Sequence, residues 1–244
     1  RWPNGARVAL SFVLNYEEGA ENTPLNGDPT TEIYLHEIPG GTPRRDKRDE
    51  MVESQFDYGA RVGVWRVLRL FAERNMNLTV YGVGRALELN PDAGRAFAEA
   101  GHEIACHGWR WFDYSGIGEN EEREHIARNA TVVEAVTGTR PVGWYTGRVS
   151  ARTRRLVMEH GGFLYDSDAY DDDLPHYVDV AGPWGQRKQL VLPYTFDNND
   201  MKFAVPPGFG TTDAFHDHLR AALDFLRDEG RTTPRMMSVG LHCR

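Results

Sequence analysis

Four short clusters hold most of the residues in this chain that could do chemistry. In Asn15-Tyr16-Glu17-Glu18, two adjacent carboxylates directly follow an apolar run. They can divide into a general base and either a metal ligand or a second polar anchor. If the strand continues, Asn15 and Glu17 share one face and Glu18 points to the other, and geometry alone leaves open which carboxylate acts. A glutamate pair after a strand is also the composition of a solvated loop, so position has to decide. The second cluster is Gly101-His102-Glu103-Ile104-Ala105-Cys106-His107-Gly108-Trp109-Arg110-Trp111, where His107 ends a buried run and His102 has the opposite strand parity. Zinc asks for three protein ligands, and four residues past His107 stands Trp111, which cannot bind a metal. The third, Met236 to Cys243, delivers His242, an imidazole able to give a proton to a leaving amine near neutral pH; a capped strand end is the plainer reading. In the fourth, Tyr145, Thr146 and Arg148 can hydrogen-bond carbonyl oxygens, and an arginine fork suits planar ureido or imide groups. Trp109, Trp111, Trp144, Tyr145 and Tyr170 would surround a flat ring if their loops converge, although packing is the commoner fate of aromatic residues.

Each cluster needs an element to position it. Between Arg7 and Asn15 the run Val-Ala-Leu-Ser-Phe-Val-Leu is apolar and β-prone and feeds a polar, glycine-containing segment, which predicts a first buried strand. Residues 20–57 are rich in Gly, Pro, Thr and charge without sustained periodicity, and read as a long irregular loop. From Tyr58 apolar residues recur at helical spacing, and the following pattern predicts strands over 77–82, 102–106, 142–146, 163–166, 190–194 and 236–241. Helices are predicted near 91–100, 120–136, 151–160 and 213–229. About seven strands mostly separated by helices imply a single α/β domain over residues 1–244, a distorted parallel (β/α) barrel. An open doubly wound sheet shares the rhythm. In both, ligands bind at the carboxyl ends of strands, where all four clusters fall.

A chain of 244 residues with 40% hydrophobic residues can bury one substantial core. Its net charge of −8 excludes the excess of Lys and Arg on which nucleic-acid binding depends, so a small or neutral substrate is expected. Cys106 and Cys243 have no disulfide or metal-site spacing, which fits a reducing cytoplasm. No run reaches the roughly 18 apolar residues of a membrane span, and Arg1-Trp2-Pro3 does not begin a signal peptide. The absence of an initial methionine, and the stop at Arg244 directly after a predicted strand, suggest a fragment whose C-terminal part is missing.

Taken together the clusters resemble the motifs of the polysaccharide deacetylase family: a Thr-Phe-Asp-Asp-Gly segment, a His-(Ser/Thr)-x-x-x-His segment, an Arg-Pro segment and a late Leu-His. Ser11 to Gly19 takes the first place, with Glu17-Glu18, or Asn15 and Glu17 in a shifted alignment, standing for the aspartate pair. His107 to Trp111 takes the second, with Trp111 where the family has its second metal-binding histidine. Trp144 to Arg148 takes the third, without the Arg-Pro-Pro pattern, and Gly240-Leu241-His242 matches the last. The segments NYEEG, GHEIACHGWRW, GWYTGR, YDSDAYDDDLP and GLHCR further resemble the cofactor-independent allantoinases of this superfamily. That resemblance implies a cytoplasmic homotetramer that opens the hydantoin ring of allantoin to allantoate, needing no cofactor or metal and having no nucleic-acid or membrane partner. Glu17 or Glu18 would activate water, His107 would hold water or the carbonyl, and His242 would protonate the departing nitrogen. Asn15, Trp109, Trp111, Tyr145, Arg148 and Tyr170 would contact the substrate. The rival readings are a metal-dependent N-deacetylase of polysaccharide or peptidoglycan, a related cyclic-imide hydrolase, and a non-catalytic ligand-binding barrel.

Overall fold

A computed structural model describes residues 2–38 and 40–244 of the chain. The apolar run after Arg7 forms β1 (Val8–Tyr16), increasingly buried toward its C-terminal end. It is flanked on both sides by parallel neighbours, β2 (Thr79–Gly82) and β8 (Arg235–His242). A strand covered on both faces reads as continuous rather than alternating apolar sequence, which is what this run shows. Outward from β2 follow β3 (Glu103–Cys106), β4 (Gly143–Trp144), β5 (Tyr165–Asp166), β7 (Gly185–Val191) and β6 (His176–Gly182) in one eight-stranded sheet.

The sheet is parallel except for β6, which is antiparallel to β7. The ladder stays open. Residues 194–199 and Asp173 span the remaining gap: the amides of Thr195 and Ser238 each donate to the other's hydroxyl, Gly240 donates to the Asn198 carbonyl and Met236 to that of Asp173. The distorted barrel expected from sequence is therefore present, with eight strands among the described residues rather than about seven. The uncounted strand is β6, a half-exposed alternating edge joined to β7 through Pro183-Trp184; the strand expected over 190–194 is the end of β7 shifted toward the C-terminus.

Helices cover the outside: α1 (Glu50–Tyr58), α2 (Val64–Ala72), α3 (Gly84–Leu89), α4 (Pro91–Glu99), α5 (Glu119–Thr137), α6 (Thr153–His160) and α7 (Thr212–Glu229). Their apolar faces meet Leu14, Tyr16, Val80, Ile104, Cys106 and Trp144 in the main core. Inside the curl, a smaller cluster gathers Val13, Tyr81, Ala105, Tyr145 and Tyr194. None of the described helices is long and apolar enough to cross a membrane.

The start of α1 corrects the expectation of irregular chain up to residue 57. Only Val52 and Phe56 among its apolar residues are fully buried, one turn apart in an otherwise charged stretch, too sparse a stripe to read as periodic. A π-helical turn, Gly59–Gly63, joins α1 to α2 and presses them onto the carboxyl ends of the strands. The approach needs both glycines: a Cβ on Gly59 would lie 2.7 Å from Glu18 Oε1, and one on Gly63 only 1.7 Å from the Cys243 carbonyl oxygen.

Candidate active site

Strand register assembles the site. The pairs Tyr16–Gly82, Gly82–Cys106, Cys106–Trp144 and Trp144–Asp166 set one row across the sheet, so the next residues, Glu17, His107, Tyr145 and Ser167, form a row just beyond the strand ends. On the other side Asn15 pairs with His242. These ends line a cavity of about 140 Å³ bounded by Asn15, Glu17, Tyr34, His107, Trp111, Tyr145, Arg148, Tyr170, Phe196, Asn199, Met201 and His242, among others.

Eight of the ten site residues expected from sequence lie on this cavity, and two do not. Glu18 points away, as strand alternation requires; it lies fully buried against Gly59 and accepts the Glu17 amide at 2.8 Å. The carboxylate that faces the cavity is Glu17. Trp109 is buried between Gly84 and the Arg128 guanidinium, whose carbon lies 3.7 Å from the ring centroid, and it serves packing rather than the cavity wall.

Glu17 is the electrostatic centre. Its Oε1 lies 3.1 Å from His107 Nε2 and 3.8 Å from His242 Nε2, while its Oε2 accepts from Arg244 Nη2 at 2.5 Å. Burial acts to push its carboxyl up, but the Arg244 guanidinium and the two imidazoles outweigh it and hold Glu17 well below the usual carboxylate range. Glu18 goes the other way: burial raises it, Arg244 offsets part of that, and the neighbouring Glu17 raises it further. Side by side, the two carboxylates thus have opposed protonation tendencies.

His242 is gripped twice by Asp200, a residue with no motif around it to single it out in sequence. The ring Nδ1 lies 2.6 Å from Asp200 Oδ1, and the His242 amide donates to Oδ2 at 2.8 Å. With Nδ1–H given to Asp200, Nε2 is the nitrogen turned toward Glu17 and the cavity. Also missed by sequence reasoning are Tyr34, from the segment expected as loop; Phe196, Asn199 and Met201, from the segment after β7; and Arg244. Arg244 carries a legible signal: it stands two residues past His242, hence on the same side of the strand.

The aromatic wall is built on these anchors. Trp111 packs edge-on against Tyr34 at 5.7 Å, and the Arg148 guanidinium lies 3.9 Å from its ring centroid, held by Glu32 at 2.9 Å. Tyr145 stacks on Tyr81 at 4.7 Å, with its hydroxyl 3.1 Å from that of Tyr170. Beneath the loop, Asp168 accepts the Thr146 and Gly147 amides at 3.0 and 2.7 Å. Burial nevertheless pushes its carboxyl up to about 7.

The family's metal can be tested against this donor set. Trp111 occupies the place of the second histidine, no three His, Cys, Asp or Glu side chains converge as ligands among the described residues, and the Arg244 guanidinium already lies against Glu17 and Glu18. The residues present do not fit a bound metal ion.

Behind the site, Glu21 is buried with Oε2 lacking any hydrogen-bond partner among the described residues, and burial pushes its carboxyl up to about 7. A carboxyl raised in the native state contributes stability that is complete below its unfolded value, about 4.5, and is lost as pH rises through the native one. Glu21→Gln is therefore expected to flatten the fall in stability between these values, gaining on the order of 3 kcal/mol relative to wild type at pH 7.5 as against pH 4.5. Urea midpoints of both proteins at the two pH values check this, with a residual slope left to Asp168. Parallel curves would mean that Glu21 is solvated or paired.

Comparison with known proteins agrees with this architecture. The polysaccharide deacetylase family profile matches residues 44–162. A polysaccharide deacetylase-type protein of Schizosaccharomyces pombe is 40% identical, with all of this chain aligned to 80% of it. Two crystal structures superpose with a TM-score of 0.94 over 99% of this chain and 80% of theirs: a PuuE allantoinase, 49% identical, and a Pseudomonas aeruginosa protein described as a probable polysaccharide deacetylase, 50% identical. With its parallel strand ends, its Glu17–His107–His242 cluster and these relatives, the chain belongs to the polysaccharide deacetylase family of hydrolases.

Proposed function

We propose that this hydrolase opens the ring of allantoin to give allantoate. The observation that carries the reading is the size and lining of the cavity: about 140 Å³ walled by Tyr34, Trp111, Tyr145, Tyr170 and Phe196. Space of that order beside the reacting groups suits a single small ring. The hydantoin ring would lie here, with its ureido tail directed toward the adjoining cavity that shares Tyr34, Met201 and His242. The likeness to a PuuE allantoinase supports the same reading, although the equally similar Pseudomonas protein is described as a deacetylase.

In the proposed reaction water lies at Glu17 Oε1 beside His107 and attacks the ring amide carbonyl, its proton passing to Glu17. The oxygen–carbon bond forms as the carbonyl π bond opens to an oxyanion. Collapse breaks the carbon–nitrogen bond while protonated His242 gives its Nε2 proton to the departing nitrogen. A proton moving from Glu17 Oε1 to His242 Nε2, 3.8 Å apart, resets the pair. Arg148 and Tyr145 offer hydrogen bonds to substrate oxygens. Cytoplasmic location and a homotetramer belong to the same proposal, on the strength of the sequence resemblance.

Purified full-length enzyme assayed on allantoin, dihydropyrimidine, succinimide and an acetylated chitooligosaccharide, with and without chelator, tests it. Expected is turnover of allantoin above the others, unchanged by chelator. Preferential deacetylation of the oligosaccharide, or loss of turnover with chelator, would replace the proposal with the deacetylase reading.

A further inference from the structure

We propose that the Arg244 guanidinium is the resident cation of this site, a covalently tethered substitute for a divalent metal that positions Glu17 and leaves no seat for an ion. The placement follows from register. Asn15 pairs with His242, so two residues beyond each, on the same side of their strands, Glu17 meets Arg244. Arg244 Nη2 donates to Glu17 Oε2 at 2.5 Å and Nη1 to Glu18 Oε1 at 3.3 Å. The anchored Oε2 leaves Oε1 as the oxygen presented to both imidazoles.

Only 3% of the Arg244 side chain is exposed, so a full positive charge has been taken from water and needs compensation on every side. The Glu17 carboxylate supplies it on one side, with Glu18 Oε1 accepting a second N–H. On the other, the guanidinium carbon lies 4.4 Å from the Phe56 ring centroid and 4.9 Å from that of Trp111, both within cation–π range. Trp111 thus has a positive role at a place where a histidine would bring ligand nitrogen, or a second positive charge, toward the guanidinium. Gly59 completes the seat, since any side chain there would strike the Glu18 carboxylate. Charge and space suit a planar cation whose two Nη groups are directed at the carboxylates, while its buried Nε has no hydrogen-bond partner among the described residues, and an arginine can neither dissociate nor deprotonate at working pH.

As a positioning residue Arg244 rests on the proposed role of Glu17 only for its kinetic consequence; cation occupancy is independent of substrate. Two arms separate them. In the first, Arg244→Ala and Arg244→Lys in the full-length protein are assayed on allantoin per folded molecule. The alanine variant is expected to lose about 10²–10³-fold in kcat with KM within about threefold. Lysine should recover part of the loss, and millimolar guanidinium chloride should rescue the alanine variant at least tenfold where ammonium chloride does not. In the second, without substrate, low millimolar guanidinium should raise the Tm of Arg244→Ala but not of wild type, and titration of wild type with Co²⁺ should give no protein-bound visible absorption. Near-normal kcat of folded Arg244→Ala, absence of guanidinium-specific rescue and Tm rise, or stoichiometric Co²⁺ bound by wild type and lost on Glu17→Gln, each overturns the proposal. If wild type does not turn over allantoin at all, the function assigned above fails while the substrate-free arm still decides this one. Should the alanine variant not fold, the Co²⁺ titration of wild type, with Glu17→Gln as its control, decides cation occupancy, and kcat of Arg244→Lys equal to wild type overturns the positioning role.

Discussion

His242→Ala is expected to lower kcat by about 10²–10⁴-fold while substrate affinity stays within about threefold of wild type, because a proton donor acts mainly as the carbon–nitrogen bond breaks. An amide nitrogen leaves poorly as an anion, so without a donor the tetrahedral intermediate expels the attacking oxygen and returns to substrate. The fold should tolerate the change. The residue 242 amide donates to Asp200 Oδ2 whatever its own side chain, so that bond survives the loss of the ring, as does the pairing of β8 with β1. Kinetics per folded active site, with affinity measured separately by calorimetry, checks this. If His242 merely closes a strand, the variant will be less stable yet turn over almost normally, which would remove it from the mechanism.

Glu17→Gln is expected to act on both turnover and stability. An amide cannot take the proton of the attacking water, so kcat should fall by about 10²–10⁴-fold. The same change strips Arg244 of its shorter carboxylate contact and leaves a buried guanidinium against Glu18 alone, at 3.3 Å. Breaking one side of a buried ion pair costs about 3–5 kcal/mol, because the remaining charge stays desolvated. Denaturant midpoints measured beside kcat separate the two effects. A glutamine variant with full turnover, or with unchanged stability, would contradict the place given to Glu17 in the reaction or in the charge cluster. Glu18→Gln is a useful contrast, since that carboxylate faces away from the cavity and its burial favours the neutral form.

Much of this site is legible in the sequence because the sheet is regular where it matters. Strands β1, β3 and β8 keep an unbroken register with their neighbours up to their ends, so a period of two separates Glu17 from Glu18 and puts Asn15 with Glu17. Where alternation stops, sequence reasoning fails. Trp109 follows Gly108, whose φ of 72° turns the chain and sends the ring outward to Arg128. Asp200 and Met201 lie in a short 3₁₀ turn after an irregular stretch, and Tyr34 in a segment with no period at all; such residues reach the cavity only through tertiary packing. The hairpin β6–β7 escapes for another reason. Its edge strand alternates half-buried with exposed residues and carries His, Asp and Gly, so its apolar signal is weak although the Gly-Pro-Trp-Gly turn is in plain view.

The brevity of β4 has a consequence for how such a site can change over generations. Between β3 and β4 the ladder holds a single register pair, Cys106 with Trp144, and β4 and β5 are two residues each. That seam separates two groups of residues. Glu17, His107, His242, Asp200 and Arg244 stand on or beside the long pairing of β1 with β8 and its neighbours, whereas Tyr145, Arg148 and Tyr170 hang from the loops after β4 and β5. Under the proposed chemistry the first group carries and orients the proton transfers, and the second recognises the ring together with Tyr34 and Trp111. Drift in the recognising half leaves the register of the reacting half untouched, so a lineage can exchange one planar substrate for another by remodelling loops of a few residues while its proton-transfer apparatus is inherited whole.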